Sequence, residues 1–358
     1  MKNRELHALP IECLWDGLVL SDDIYDYQGT TMLVPHGEKI SADKIRRLYN
    51  FNRGDKNIMV YENTYYDMLA NDNISDERRQ KLTERIAGYH RLNERMGKFI
   101  HHPDAWLQND ELEIIAHDIL EKLAEINPTM IFSCINFPRP MDEDLQRHSL
   151  NVAFVNGMMG RWLGLSETEI GTLVVAGLLH DIGKTKIPEK ILNAPRMLTD
   201  QEFKIVKMHP VYSEIMIGDK FGAVVRDVAR HHHEKLNGGG YPDNLSGDKI
   251  SKYTRITSLS DIYDAMIAKR SYKDGKTPLQ VFAMLYENQF KGLDRELVMV
   301  FLKNIRRQYE MKKVVMSDGR TGYIRYIPMN DAEHPIVKQG DRIEQTNSEW
   351  FCREILAV

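Results

Sequence analysis

The chain has 358 residues and a formal charge of −4, from 48 Lys and Arg against 52 Asp and Glu. That length suits one large domain with attachments or two domains, and the acidic balance argues against a dedicated duplex nucleic-acid binder. No apolar run approaches the roughly 18 residues that span a bilayer, and the N-terminus has no secretory stretch. The three cysteines, Cys13, Cys134 and Cys352, are far apart, so a soluble protein of a reducing cytoplasm is expected.

Residues 1–72 read as a small mixed α/β domain. Short β-like runs (Gly17–Leu20, Thr31–Val34, Asn57–Tyr61) flank a helix from about Ser41 to Tyr49, with Ser41 as its N-cap. No receiver-type acidic pocket follows a first strand, which leaves an input domain or a structural appendage. Residues 73–104 form a helical linker. There Leu82, Ile86, Tyr89, Leu92 or Asn93, Met96 and Ile100 recur at spacings of three and four. The stripe fits either a homodimer seam through the 75–100 helix or a face packed on the neighbouring domain.

Residues 105–310 are dominated by amphipathic helical patterns: Glu111–Glu125, Asp142–Leu163, Glu167–Ile182, Asp200–Gly218, Val224–His233, Thr254–Lys269 and Pro278–Gln289. The fold class is therefore mainly α, an all-α helical bundle, the architecture that builds metal sites from facing helices. Residues 311–358 close the chain with a β-hairpin turning at Asp318-Gly319 and a strand near Pro335–Val337. A lone hairpin is marginal, so this segment is expected to lean on another domain.

Histidine is the compositional oddity, with five of 13 between residues 180 and 233. His180 and Asp181 end the apolar run Leu173–Leu179, and an apolar helix does not end in a buried His-Asp pair unless something satisfies it. Neighbouring helical residues point about 100° apart, so Asp181 can touch two metals while His180 takes one. His148 follows Asp144 by four residues on one helix face; His209-Pro210 ends another run. His232 and His233 are adjacent and diverge, so they suit different metals, and Asp261 has Asp264 at i+3. Imidazoles and carboxylates without a nearby thiol suit iron, manganese or zinc. Two such ions activate water and relieve phosphate charge.

The block His180-Asp181-Ile182-Gly183-Lys184, followed by His232-His233-Glu234-Lys235-Leu236-Asn237-Gly238-Gly239-Gly240-Tyr241-Pro242, resembles the signature of the HD-GYP cyclic dinucleotide phosphodiesterases. The resemblance covers about residues 140–285 and implies an HD-type bundle. It places His148, His180, Asp181, His209, His232, His233 and Asp261 at metal-ligand positions and leaves His231 outside the set. Asp144 falls where some members place a glutamate for a third metal. Two divalent ions are implied, iron or manganese before zinc or nickel, with a third conceivable through Asp144. Lys184 and Asp181 take catalytic roles, with Gly183 letting the chain turn between the pair and the lysine. Tyr241, Gly240, Arg270 and Lys273 lie beside the substrate, and Asn237, where the family more often has Asp, orients the loop. The implied function is hydrolysis of cyclic di-GMP to linear pGpG or GMP through a metal-bridging hydroxide. The alternatives are a mixed cyclic GMP-AMP substrate or a non-catalytic sensor.

Overall fold

The computed structural model describes residues 144–194, 196–267, 276–310 and 312–355 without interruption, residues 89–125 with short gaps, and isolated stretches of residues 1–61. The chain divides into two compact units, Met1–Arg85 and Ile86–Val358. In the first, β1 (Leu6–Leu9) pairs antiparallel with β4 (Ile58–Tyr61), and β2 (Ile24–Tyr25) with β3 (Met32–Val34). Two of the expected runs are thus strands, β1 and β2 are additional, and most of the expected Ser41–Tyr49 helix lies outside the described residues.

The second unit is a helical bundle. A helix over 91–101, α1, leads into α2 (Glu111–Glu125), α3 (Asp144–Trp162) and α4 (Glu167–Leu179). A 3₁₀ turn over Ile182–Lys186 and the short α5 (Glu189–Leu192) follow, then α6 (Asp200–Val206), α7 (His209–Ile217), α8 (Gly222–His231) and α9 (Lys252–Ile267). The bundle closes with α10 (Pro278–Tyr286) and α11 (Arg295–Tyr309). Reciprocal capping boxes fix three starts: Ser166 with Glu169 for α4, Thr199 with Glu202 for α6, and Thr277 with Gln280 for α10. Helix α11 was not singled out by the sequence pattern. Its Asp294 N-cap accepts from the amides of Glu296 and Leu297, and Leu297, Val298, Phe301, Leu302 and Ile305 are buried.

From residue 89 onward the linker stripe packs inward. Tyr89, Leu92, Met96 and Phe99 are buried in one core with Leu112, Ile115 and Ile119 of α2 and Phe154 of α3. For these residues packing within the unit, rather than a subunit seam, is what the structure shows; Leu82 lies outside the described residues. The expected single helix Asp200–Gly218 is two helices. Pro210 lacks the N–H that would bond the carbonyl of Val206 in a continuous helix, and the chain breaks at Lys207-Met208.

After α11 the chain forms a five-stranded antiparallel sheet in the order β8-β7-β6-β5-β9, with β5 Lys313–Met316, β6 Thr321–Tyr326, β7 Ile336–Gln339, β8 Arg342–Gln345 and β9 Cys352–Ile355. The hairpin turns where expected, with Gly319 at φ +80°. Val314, Met316, Ile324 and Val337 of the sheet share the core of the bundle, which supplies the support a lone hairpin lacks.

Candidate metal centre

Helices α3 and α4 approach unusually closely. A Cβ on Gly177 would sit 2.6 Å from the Cα of Ala153, so only glycine allows this contact, and it brings the end of α4 against the middle of α3. Gly183 acts similarly one turn later. Its backbone N–H donates to Ser213 Oγ at 2.8 Å, and a Cβ would lie 2.1 Å from the carbonyl oxygen of His209. The reason for glycine there is therefore close approach of α7, not the turn expected from sequence; no positive φ is involved.

Three histidines reach the centre by one local device. The last carbonyls of a helix have no intrahelical donor. His180 Nδ1 bonds the carbonyl of Gly177 at 2.7 Å, His209 Nδ1 that of Val206 at 2.6 Å, and His232 Nδ1 that of Ala229 at 2.9 Å. Each ring satisfies the carbonyl three residues back, and for His209 that is the carbonyl Pro210 leaves free. A carbonyl only accepts, so the proton resides on Nδ1 and the Nε2 lone pair points inward. His148 sits within α3, where backbone carbonyls are engaged. Its Nδ1 instead donates to Asp264 Oδ2 at 2.7 Å.

The inward nitrogens surround Asp181. Its Oδ2 lies 3.4 Å from Nε2 of both His148 and His180, while Oδ1 lies 3.0 Å from His209 Nε2 and 3.6 Å from His232 Nε2. Asp261 closes the other side, Oδ1 at 3.1 Å from His148 Nε2 and Oδ2 at 3.7 Å from His233 Nδ1. Two groups result, His148-His180-Asp181 and Asp181-His209-His232-His233, each with ligand atoms within 4.8 Å of one another. Seven of the eight residues singled out in the sequence for metal binding meet here, the side chain of Asp144 lying outside the described residues. His232 and His233, expected to suit different metals, fall in one group instead, because both rings reach the Asp181 side from the end of α8. His231 faces away, held between Asp227 (2.8 Å) and Asp243 (2.9 Å).

These groups fit divalent cations and little else. His148 and His180 bring Nε2 atoms to 3.3 Å, and His209 and His232 to 3.4 Å, yet two bare lone pairs cannot hydrogen-bond each other. Buried Asp181 Oδ1 has no hydrogen-bond donor. Burial holds the His180, His209 and His233 rings below the usual imidazole range and so neutral. Burial alone would raise the carboxyl of Asp181, but Lys184 and His180 outweigh it and keep the group ionised; His148 and His233 do the same for Asp261. Burial would likewise lower His148, but Asp181, Asp261 and Asp264 outweigh it and raise the ring, so at Nε2 a cation competes with a proton. Neutral imidazoles around ionised carboxylates are the ligand state of a cation site.

Around the cluster, the Lys184 ammonium bonds Asp181 Oδ2. The Tyr241 ring lies against His233 at 4.8 Å between centroids, and the Lys207 ammonium lies over the same ring, 5.0 Å from its centroid. Burial, then Asp181 and Asp261, raise the Tyr241 phenol, so it stays protonated. The loop is stapled by Glu234, a residue sequence reasoning missed: its carboxylate accepts from the amides of Asp243 (2.6 Å) and Leu245 (3.0 Å). Asn237 Oδ1 accepts from Gly239 N at 3.1 Å, an Asx turn. Gly240 has its own reason to be glycine, since a Cβ there would meet the backbone of His233, Glu234 and Lys235 within 2.6 Å. Asp264 was also missed as a partner; its only signal was the spacing Asp-x-x-Asp on α9. Arg270, Lys273 and the side chain of Asp144 lie outside the described residues.

Residues 138–297 match the HD domain family. A cyclic di-GMP phosphodiesterase of Pseudomonas aeruginosa is 32% identical over 233 residues, covering 64% of this chain and 54% of that protein. A 3'3'-cGAMP-specific phosphodiesterase of Vibrio cholerae is 33% identical over 190 residues, 52% of this chain and 36% of its own. A cyclic di-GMP phosphodiesterase response regulator of Xanthomonas campestris is 36% identical over 162 residues, 44% and 43% of the two chains. The matches thus span about half or less of these relatives. A solved HDG"Y"P protein of Bdellovibrio bacteriovorus superposes with a TM-score of 0.52 at 13% identity, over 85% of this chain and all of the other, which shows a shared fold. No helix among the described residues is long and apolar enough to cross a membrane. The His-Asp cluster and the Gly-Tyr-Pro loop both fall within residues 138–297, the segment that matches the HD domain family.

Proposed function

We propose that this chain is a cytoplasmic metal-dependent phosphodiesterase that opens a cyclic dinucleotide, with cyclic di-GMP as substrate. The observation that carries the reading is the pair of groups divided by Asp181, whose two oxygens face different histidines. His148, His180, Asp181 and Asp261 would hold one divalent ion, and Asp181, His209, His232 and His233 the other. Imidazole and carboxylate donors without thiolate suit iron or manganese. Bound divalent ions supply the nucleophilic water and neutralise phosphate charge. The protein's own groups do the rest. Lys184, anchored on Asp181, presents a fixed positive charge to the phosphate as charge develops there. Tyr241 keeps its proton and walls the His233 side. Arg270 and Lys273 are proposed to meet the phosphates or guanine edges.

A mixed guanine–adenine cyclic dinucleotide is the second reading, supported by the Vibrio relative whose name specifies 3'3'-cGAMP. Protein purified without oxygen and loaded with iron or manganese is expected to convert cyclic di-GMP to linear product, and the H180A/D181A variant is not. Faster loss of 3'3'-cGAMP would move the substrate to the mixed dinucleotide. No turnover of either, with metal bound, would overturn the assignment.

A further inference from the structure

Among the inward-facing histidines, His148 is held differently from the three that bond a helix-end carbonyl, and its support extends outside the segment that matches the HD family. Asp264 Oδ2 accepts from His148 Nδ1 at 2.7 Å, Asp264 Oδ1 accepts from Asn151 Nδ2 at 2.8 Å, and Asn151 Oδ1 accepts from the Tyr89 hydroxyl. Tyr89 precedes the family match at residue 138 and stands just before α1. We infer that Tyr89, Asn151 and Asp264 form a positioning chain that sets how tightly the His148 side of the cluster holds its metal ion. This rests on the metal reading above.

The chain has one direction. A carboxylate only accepts, so the His148 proton is on Nδ1 and Nε2 is left to face Asp181 and Asp261. Turning the Asn151 amide over would place its oxygen against an Asp264 oxygen, so the carboxylate fixes which way the amide faces and leaves Asn151 Oδ1 to accept from the Tyr89 hydroxyl. The hydroxyl then holds the amide in place, the amide holds the carboxylate, and the carboxylate holds the imidazole. Asn151 and Asp264 are fully buried and Tyr89 is 5% exposed, so water does not replace a lost link and each orphaned atom is costly. Geometry supports the same role. His148 and Asn151 lie at i and i+3 on α3; Asp261 and Asp264 lie at i and i+3 on α9, one carboxylate on each nitrogen of the His148 ring. The Tyr89 ring packs against Phe154 of α3 at 6.0 Å, so its hydroxyl is aimed by packing that Tyr89→Phe leaves in place.

The test is metal content and affinity, read with manganese(II) alone by atomic spectroscopy and chelator competition. Wild type is expected to bind two ions per chain. Y89F should weaken one of them about tenfold and D264N by about 10–100-fold, with the second unchanged, the range found for partners of metal-bound histidine. The exchange N151D/D264N restores alternation: the first carboxylate accepts from Tyr89 and from the new amide, whose carbonyl accepts from His148. It should recover most of the affinity lost in D264N. Y89F and D264N that keep both ions at wild-type affinity would overturn the chain. So would loss of both ions together with a lower melting temperature of metal-free protein, since that marks a packing defect. Failure of the exchange to recover affinity would overturn the donor–acceptor order. Wild type that binds no manganese would overturn the proposed function itself, and the chain with it.

Discussion

Asp181 and Glu310 are both carboxylates enclosed by protein, and they behave in opposite ways. At the metal cluster burial would raise Asp181, yet Lys184 and the histidines around it hold it well below the usual carboxylate range. At the junction of α11 with the C-terminal sheet, burial pushes Glu310 up to about 7, and Arg306, Arg307 and the amide of Ile327 only partly oppose this. Glu310 Oε1 has no hydrogen-bond partner. Desolvation is common to the two places; the number of positive or donating neighbours decides the outcome. A region that keeps carboxylates ionised while His180, His209 and His233 stay neutral is organised for cations. The junction is organised for packing.

The strongest way to break this contrast is to remove the charge at the cluster. D181N should lose both ions and lower turnover by more than the about 10–100-fold that altering a supporting partner costs, because Asp181 faces both groups. Metal content is the direct readout, and two ions retained in D181N would refute the bridging role. Next come the two sides taken singly. H148A and H209A should each retain one ion per chain, and elimination of both ions by either would mean that the two groups are not separate positions. K184M should keep both ions and lower kcat by about 10²–10³-fold, the cost of removing one fixed group that stabilises transition-state charge. If K184M instead loses metal at unchanged kcat per bound ion, the lysine serves Asp181 and not the phosphate.

What the sequence made legible follows from locality. Histidines at helix ends are visible in a linear pattern, because the carbonyl each one satisfies is three residues away: Gly177 for His180, Val206 for His209, Ala229 for His232. The Gly-Tyr-Pro loop is likewise a contiguous string. The links that escaped are those between distant segments. Gly183 reads as a turn residue until α7 is seen against it, and Asp264 reads as a helical carboxylate until His148 and Asn151 arrive from another helix. Pro210 was read as ending a helix, although it begins one: the same missing N–H serves both, and only the course of the chain afterwards distinguishes them. Strands β8 and β9 are short, and β8 is exposed along its length, so neither carries the alternation that marks a half-buried strand.

The smallest expected effect concerns Glu310, and it tests the junction without touching the cluster. Below its ordinary value of 4.5 the carboxyl is protonated whether the chain is folded or not; between 4.5 and about 7 only the folded chain keeps the proton. Folding stability contributed by this group is therefore fully present below pH 4.5 and is lost as pH rises through about 7, where a charge must be buried. The loss is on the order of 3 kcal/mol, since each unit between the two states is worth about 1.4 kcal/mol. E310Q removes the titration and keeps the shape. Its urea midpoint should match wild type near pH 4.5 and exceed it increasingly toward pH 8, with metal content and turnover unchanged. Parallel pH profiles for the two proteins would show that Glu310 is already ionised when folded, with Arg306 and Arg307 compensating its burial, and the contrast with Asp181 would disappear.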